Sequence, residues 1–178
     1  MLTFAIKVVA NAGVGLPSAE ASPFAWESLA APLRTNTLGA AATLTALLPS
    51  MVARGAGHVV SIGSLASYGP IPGSAAYCAP KAGIDMLMAC LSIDLEGTGV
   101  SATNVRLGFV RTAMTARSTH PMPQLLEPEE AARAIVRALP SRPEMLVYPR
   151  ALGLGARALG LLPAAARARL YRGISGRS

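Results

Sequence analysis

Short apolar runs alternate with longer stretches of helical periodicity along this chain of 178 residues. The apolar runs predict four strands, namely Phe4–Ala10, His58–Ile62, Val100–Leu107 and Met145–Tyr148. The helical patterns predict three helices, namely Phe24–Arg54, Ala75–Glu96 and Glu127–Leu139. Strands and helices that alternate in this way form a parallel sheet with crossover helices on both faces. The pattern therefore predicts an α/β fold with a doubly wound sheet of about four strands.

Several local features refine these elements. Phe4–Ala10 is apolar except for Lys7, so we expect a strand that is buried on both faces. Pro32 and Pro49 mark kinks or boundaries within the first helical run. The segment 63–74 is rich in Gly, Pro and Ser and predicts a loop.

Composition limits the class of protein. Hydrophobic residues make up 52% of the chain and charged residues 14%, which excludes a disordered protein. The apolar run 37–53 is interrupted by Pro49 and is short for a membrane span, and the apolar start of the chain lacks a basic leader. Cys78 and Cys90 are expected to be buried free thiols, and their spacing indicates no metal site. We expect a cytoplasmic protein.

The end of the chain differs from the rest. We expect one domain over residues 1–149 and a basic, Leu/Arg-rich extension over 150–178. No acidic residue follows Glu144, and six arginines do, namely Arg150, Arg157, Arg167, Arg169, Arg172 and Arg177. Such a segment is either a solvated charged tail or a weak contact to an anionic membrane surface. The chain has no aromatic platform and no recognition-helix motif, so we expect no nucleic-acid partner.

Tyr77 and Lys81 lie four residues apart at the start of a predicted helix, so their side chains share one face. The reference pKa of a phenol is about 10, and a nearby ammonium favours the phenolate and lowers that pKa. A tyrosine one helical turn from a lysine is therefore a candidate proton donor or acceptor. A surface Tyr–Lys pair without chemistry has the same spacing.

Three further polar positions are candidates for a site. Ser64 follows the strand His58–Ile62, where a hydroxyl can hydrogen-bond a substrate carbonyl, although a turn serine is the simpler interpretation. Asn36 lies inside a predicted helix, where either a bulged turn that frees a carbonyl for water or a solvent-facing position would explain it. Asn11-Ala12-Gly13 ends the first strand, as an ordinary turn or as a close approach to a ligand.

In this order and spacing, the motifs resemble the short-chain dehydrogenase/reductase family over about Val8 to Tyr148. They are Asn11-Ala12-Gly13, Asn36, Ser64, Tyr77-Cys78-Ala79-Pro80-Lys81 and Gly108 to Thr112. The resemblance implies a partial Rossmann-like sheet and an NAD(P)-dependent oxidoreductase that interconverts an alcohol and a ketone or aldehyde. The implied cofactor is NAD or NADP.

The resemblance also implies a role for each matching residue. Tyr77 would pass a proton to or from the substrate oxygen, and Lys81 would lower its pKa and hold the nicotinamide ribose. Ser64 would orient the carbonyl or alcohol, and Asn36 would anchor a water in the proton relay. The other matches would line the cofactor cleft, namely Asn11, Ala12, Gly13, Gly108 and Thr112, with Thr112 at the nicotinamide carboxamide.

The sequence departs from the family in two places. No strand with a glycine-rich, pyrophosphate-binding turn precedes Phe4, and Gly13-Val14-Gly15 lacks the context of such a turn. Phe4–Ala10 is therefore expected to be an exposed apolar edge of the sheet. The alternative function is a non-catalytic, truncated homologue that acts through protein association. Leu107 stands where the family usually has proline, which leaves the turn to Gly108 and Thr112 less rigid.

The family's substrate loop corresponds to residues 108–126. Its apolar side chains, which either contact a lipophilic ketone or alcohol or cap the core, are Met114, Met122, Leu125 and Leu126. His120 in this loop is expected to be solvent-exposed and not catalytic. The helices Phe24–Arg54 and Ala75–Glu96 correspond to the family's dimer-forming pair, so we expect a homodimer or tetramer.

Overall fold

The fold is a four-stranded parallel sheet in a computed structural model that describes residues 6–15, 25–117 and 121–175. The strands are β1 (Lys7–Ala10), β2 (Gly57–Ser64), β3 (Val100–Leu107) and β4 (Met145–Tyr148), and they lie side by side in chain order. In the register, Lys7 lies beside His58 and Leu107 beside both Ser64 and Tyr148. The predicted α/β class and parallel topology are confirmed.

Helices connect the strands and continue beyond the last one. They are α1 (Trp26–Pro32), α2 (Ala40–Thr45), α3 (Leu48–Arg54), α4 (Ala75–Asp94), α5 (Pro128–Ala138), α6 (Arg150–Leu161) and α7 (Ala164–Ser175). A short 3₁₀ helix, Leu65–Tyr68, follows β2 directly. The loop predicted over 63–74 is therefore wrong at its start, because Gly63 and Ser64 complete the strand.

The helical run predicted for Phe24–Arg54 is divided into three helices, with boundaries at Pro32 and Pro49 as predicted. Pro32 ends α1, and a π-helical turn, Leu33–Gly39, separates α1 from α2. Pro49 lies in the first turn of α3. By length and composition the run Trp26–Arg54 could cross a membrane, a test that the core helix of a soluble protein also passes.

The core lies between the sheet and the helices α2, α3 and α4. Its fully buried side chains include Leu44, Met51, Val59 and Ile84. Gly57 is required at the start of β2, because a Cβ there would lie 2.6 Å from the Met51 sulfur. This packing fixes α4, which carries the Tyr77–Lys81 pair, on the sheet.

β1 forms one edge of the described sheet. The prediction of a strand buried on both faces is wrong, because Lys7 and Val9 are exposed and Val9 retains 46% of its accessible surface. The prediction of an exposed apolar edge agrees with this arrangement. Phe4 and the residue after it lie outside the described residues, as does His120.

Two smaller expectations also need correction. Cys90 is exposed and Cys78 is half-buried, so the prediction of two buried thiols is wrong for Cys90. Leu126 is buried and its N–H donates to the Phe109 carbonyl, so this residue of the loop caps the core. Met114 is 41% exposed and remains available to a ligand.

Candidate active site

The candidate residues lie at the carboxyl ends of neighbouring parallel strands. Asn11-Ala12-Gly13 follows β1, and Ser64 is the last residue of β2. Tyr77 and Lys81 lie in the first two turns of α4. Parallel α/β sheets place their ligand sites at this edge, because all their strands end there.

Lys81 is buried, and the fold holds its ammonium in one place. Only 7% of its surface is accessible, and Nζ donates a hydrogen bond to the Ile62 carbonyl at 2.9 Å. Nζ lies 5.9 Å from the centre of the Tyr77 ring. Burial lowers the pKa of Lys81, and the carboxylate of Asp85, one turn further along α4, partly opposes that shift.

Tyr77 and Ser64 meet at the same point. Burial raises the pKa of Tyr77, and a hydrogen bond with the Ser64 side chain partly opposes that rise. The net shift is the reverse of the one expected from Lys81 alone, because the phenol is half-buried and its phenolate is poorly solvated. Ser64 Oγ also accepts a hydrogen bond from the Ala66 N–H at 3.1 Å, which holds the hydroxyl at the end of β2.

Asn36 joins the loop after β1 to the π-helical turn. Its side chain is 2% exposed, accepts from the Val14 N–H at 2.8 Å and donates to the Val14 carbonyl at 2.9 Å. The alternative of a solvent-facing residue is therefore wrong, and the predicted bulge exists as the π-helical turn. The turn is tied to α4 by Thr37 Oγ1, which donates to the Pro80 carbonyl at 3.0 Å.

Gly13, in the loop after β1, lies close to the side chains of both Asn36 and Lys81. A Cβ at this position would lie 3.4 Å from Asn36 Oδ1 and 3.9 Å from Lys81 Nζ. The structure thus brings together Asn11-Ala12-Gly13, Asn36 and Lys81, with Tyr77 and Ser64 beside them. All of these positions are site residues that the resemblance to the family implies.

Gly108 and Thr112, the two remaining predicted cofactor-binding residues, contact other elements than the residues around Lys81. The N–H of Gly108 donates to the Tyr148 carbonyl at 2.8 Å, and a Cβ at Gly108 would lie 2.9 Å from the Leu152 side chain. Thr112 is exposed and its N–H donates to Thr115 Oγ1 at 2.8 Å. The contacts described for these two residues therefore tie them to β4, α6 and their own loop rather than to Lys81.

A polar cluster that the sequence reasoning missed lies behind Lys81. Asp85 forms an ion pair with Arg106 of β3, with 2.7 Å between Oδ2 and Nε, and accepts a hydrogen bond from Asn104. The spacing of four residues between Lys81 and Asp85 could have indicated a shared helix face. No local sequence pattern indicates that Asn104 and Arg106 of β3 would contact Asp85.

Comparison with known proteins identifies the class. Residues 6–123 match the family model for the short chain dehydrogenases. The chain therefore belongs to the short-chain dehydrogenase/reductase family. It is 41% identical over 156 residues to an uncharacterized oxidoreductase of Myxococcus xanthus, which covers 88% of this chain and 61% of that protein. It is 31% identical over 145 residues to mouse (Mus musculus) 17-beta-hydroxysteroid dehydrogenase 13, which covers 80% of this chain and 47% of that protein.

Solved structures show the same fold. A short-chain dehydrogenase from Streptomyces avermitilis superposes with a TM-score of 0.72 at 25% identity, over 97% of this chain and 70% of its own. A short-chain dehydrogenase from Sphingobium yanoikuyae in complex with NADPH gives a TM-score of 0.72 at 24% identity, over 96% of this chain and 63% of its own. The chain spans roughly half to two thirds of most of these proteins.

Proposed function

We propose that this chain is the catalytic part of an NAD(P)-dependent oxidoreductase that interconverts an alcohol and a ketone or aldehyde. The observation that carries the proposal is the meeting of Ser64, Tyr77 and Lys81 at the carboxyl edge of the sheet, with Asn36 and Gly13 against them. Family membership supports the same class of reaction.

The residues fit the ribose and nicotinamide end of a dinucleotide. An ammonium has three N–H donors, and Lys81 uses one on the Ile62 carbonyl, which leaves two for ribose hydroxyls. Glycine at position 13 keeps the approach to Nζ open, because a side chain would begin 3.9 Å from it. The same fold holds NADPH in the Sphingobium yanoikuyae protein. NAD and NADP both remain candidates.

The chain's own groups would handle the proton. When bound, the nicotinamide supplies or takes the hydride at the substrate carbon. The Tyr77 hydroxyl donates its proton to the substrate oxygen as the carbonyl becomes an alcohol, and accepts it in the reverse direction. Ser64 hydrogen-bonds the same oxygen and stabilises the charge that develops there. The π-helical turn at Asn36 would place a main-chain carbonyl where it anchors a water in the proton relay.

The substrate that we propose is lipophilic. The loop after β3 brings Met114 against the loop after β1, since a Cβ at Gly15 would lie 2.6 Å from Met114 Cγ. Met114 is partly exposed, and its flexible thioether adapts to irregular apolar ligands. The similarity to a protein named as a hydroxysteroid dehydrogenase favours the same class of substrate.

The deciding experiment is a titration of the purified chain with NADH and NADPH, followed by nicotinamide fluorescence. Lys81→Met should weaken binding about 10- to 100-fold, because a hydrogen bond from a charged donor contributes about 1.5–3 kcal/mol. Lys7→Met is the matched control, since Lys7 is the other lysine of the chain and is exposed on β1. Equal affinities of Lys81→Met and the parent would overturn the proposal.

The second candidate is a non-catalytic homologue that associates with another chain. The observation that favours it is the exposed β1 edge, where Val9 and Ile6 keep 46% and 36% of their surface. A folded chain that fails to bind either cofactor at millimolar concentration would favour this candidate. Cofactor-dependent ketone reduction that Tyr77→Phe abolishes would exclude it.

The proposal includes self-association through the helices beside the site. Met86 and Ile93, seven residues apart on one face of α4, are 66% and 69% exposed, and Leu38 on the adjoining π-helical turn is 64% exposed. Exposed apolar side chains on neighbouring elements are a candidate interaction surface. A homodimer or tetramer would cover them.

A further inference from the structure

The orientation of α6 on the domain is fixed by two close approaches of its backbone. A Cβ at Gly153 would overlap the Val147 side chain of β4, and one at Gly160 would overlap the Tyr68 carbonyl oxygen. No residue larger than glycine fits at these positions without a shift. The glycine side of α6 is therefore pressed against the domain, and the opposite side faces away from it.

Helix α7 is held to the same part of the molecule by two polar side chains. Arg167 Nη1 donates to the Gly160 carbonyl at 2.8 Å, which closes the turn between α6 and α7. The Tyr171 hydroxyl donates to the Pro70 carbonyl at 3.1 Å. These contacts give α7 an inner side, and the other residues from Ala164 to Arg172 are exposed.

The outer side of the two helices combines exposed leucines with arginines. On α6, Arg150, Leu154, Arg157 and Leu161 follow at intervals of four, three and four residues, which places them on one face. Leu154 is 69% exposed and Leu161 is 80% exposed. We call this surface of α6 the Leu/Arg face, and its members are Arg150, Leu154, Arg157 and Leu161; Arg169, Leu170 and Arg172 are exposed on the adjoining α7.

We propose that the Leu/Arg face docks on the surface of an anionic phospholipid bilayer. The charge is complementary, because the chain has six arginines and no acidic residue after Glu144. The leucines decide the kind of partner, since a bilayer interface offers apolar chains and phosphates at the same depth. A nucleic acid would satisfy the arginines and leave Leu154 and Leu161 in water.

The test is flotation of the full chain with vesicles of phosphatidylcholine and phosphatidylglycerol in equal parts, against vesicles of phosphatidylcholine alone. We expect binding to the anionic vesicles and a marked loss at 0.5 M salt, because exposed charges are screened. The double variant Leu154→Ser/Leu161→Ser should reduce the partition coefficient by about tenfold or more. Val136→Ser is the matched control, since Val136 is 68% exposed on α5.

Each alternative occupant gives a distinct result. Absence of binding to anionic vesicles at low salt would overturn the proposal. Binding that the leucine variant retains in full, and that heparin removes, would assign the face to polyanions and overturn it as well. Dissociation of an oligomer by the leucine variant, measured by light scattering, would assign the face to a second copy of the chain. These outcomes do not depend on the proposed oxidoreductase activity.

Discussion

We predict that removal of the buried ion pair between Asp85 of α4 and Arg106 of β3 will strongly destabilise the fold. Both side chains are largely buried, at 9% and 14% exposure, and 2.7 Å separates Oδ2 from Nε. Asn104 donates to the other carboxylate oxygen at 2.5 Å, and the guanidinium stacks 4.4 Å from the centre of the Tyr68 ring. Gly63 leaves room for the group, since a Cβ there would lie 2.9 Å from Asn104 Oδ1.

Asp85→Ala removes the carboxylate that accepts from both partners, so the Arg106 guanidinium and the Asn104 amide stay buried without an acceptor. Breaking a buried pair in this way costs about 3–5 kcal/mol, a large part of the roughly 5–15 kcal/mol that stabilises a domain. At about 2–4 °C per kcal/mol for a chain of this size, the melting temperature should fall by roughly 6–20 °C. The measurement is thermal and urea unfolding followed by circular dichroism.

Replacement of both residues distinguishes the contribution of the charge–charge interaction from the contribution of the volume that the two side chains occupy. Asp85→Leu combined with Arg106→Met should recover part of the stability that either single change loses, because apolar residues of similar volume avoid the desolvation of two charges while the Asn104 amide still lacks its acceptor. A loss below about 1 kcal/mol in Asp85→Ala would refute this reasoning. So would a double variant whose loss equals the sum of the two single losses.

Three further predictions concern titration and assembly. Burial lowers the pKa of His58 from 6.5 to about 4, and the positive charges of Arg142 and Lys7 contribute to the shift. Between these two pH values the His58 imidazole is therefore neutral in the folded protein and protonated in the unfolded chain. The free energy of unfolding should therefore fall by about 3 kcal/mol between pH 6.5 and 4 in urea titrations, and His58→Gln should lack that slope. Because burial raises the pKa of Tyr77, the phenol is protonated at neutral pH. Ketone reduction should therefore proceed at pH 7, whereas the rate of alcohol oxidation should increase as the pH becomes alkaline. Tyr77→Phe should abolish both activities in a nicotinamide absorbance assay. Met86→Glu should convert an oligomer to a monomer in light scattering, and an unchanged mass would exclude α4 from the interface.

The sequence predicted those parts of the fold that depend on local patterns. Alternating apolar runs placed β3 and β4 at their observed residues, because buried parallel strands are continuous apolar segments. The helical spacing placed Tyr77 and Lys81 on one face. The burial of β1 was predicted wrongly, since burial depends on what lies beside a strand and Phe4–Ala10 carries no signal of that.

Contacts between distant segments were beyond the sequence patterns. The paired hydrogen bonds of Asn36 with Val14 span 22 residues, and the hydrogen bond from Asn104 to Asp85 spans 19. His58 is fully buried and bonded to Thr103 across 45 residues, although the sequence showed it only as the first residue of a strand. Such pairs follow from the register of the sheet and the docking of α4, neither of which a local pattern specifies.

Some residues of the candidate site are buried and hydrogen-bonded, whereas others lie on exposed loops. Lys81 and Asn36 are buried and hydrogen-bonded to backbone groups, so their positions should change little when a ligand arrives. Asn11, Gly13 and Thr112 lie on exposed backbone. Proton transfer requires groups held in place in advance, whereas the binding of a dinucleotide tolerates loops that order upon it. Lys81 and Asn36, which we propose act in cofactor binding and the proton relay, are thus held in place before any ligand binds, and we predict that Lys81→Met changes cofactor affinity without loss of the surrounding fold, as circular dichroism would show.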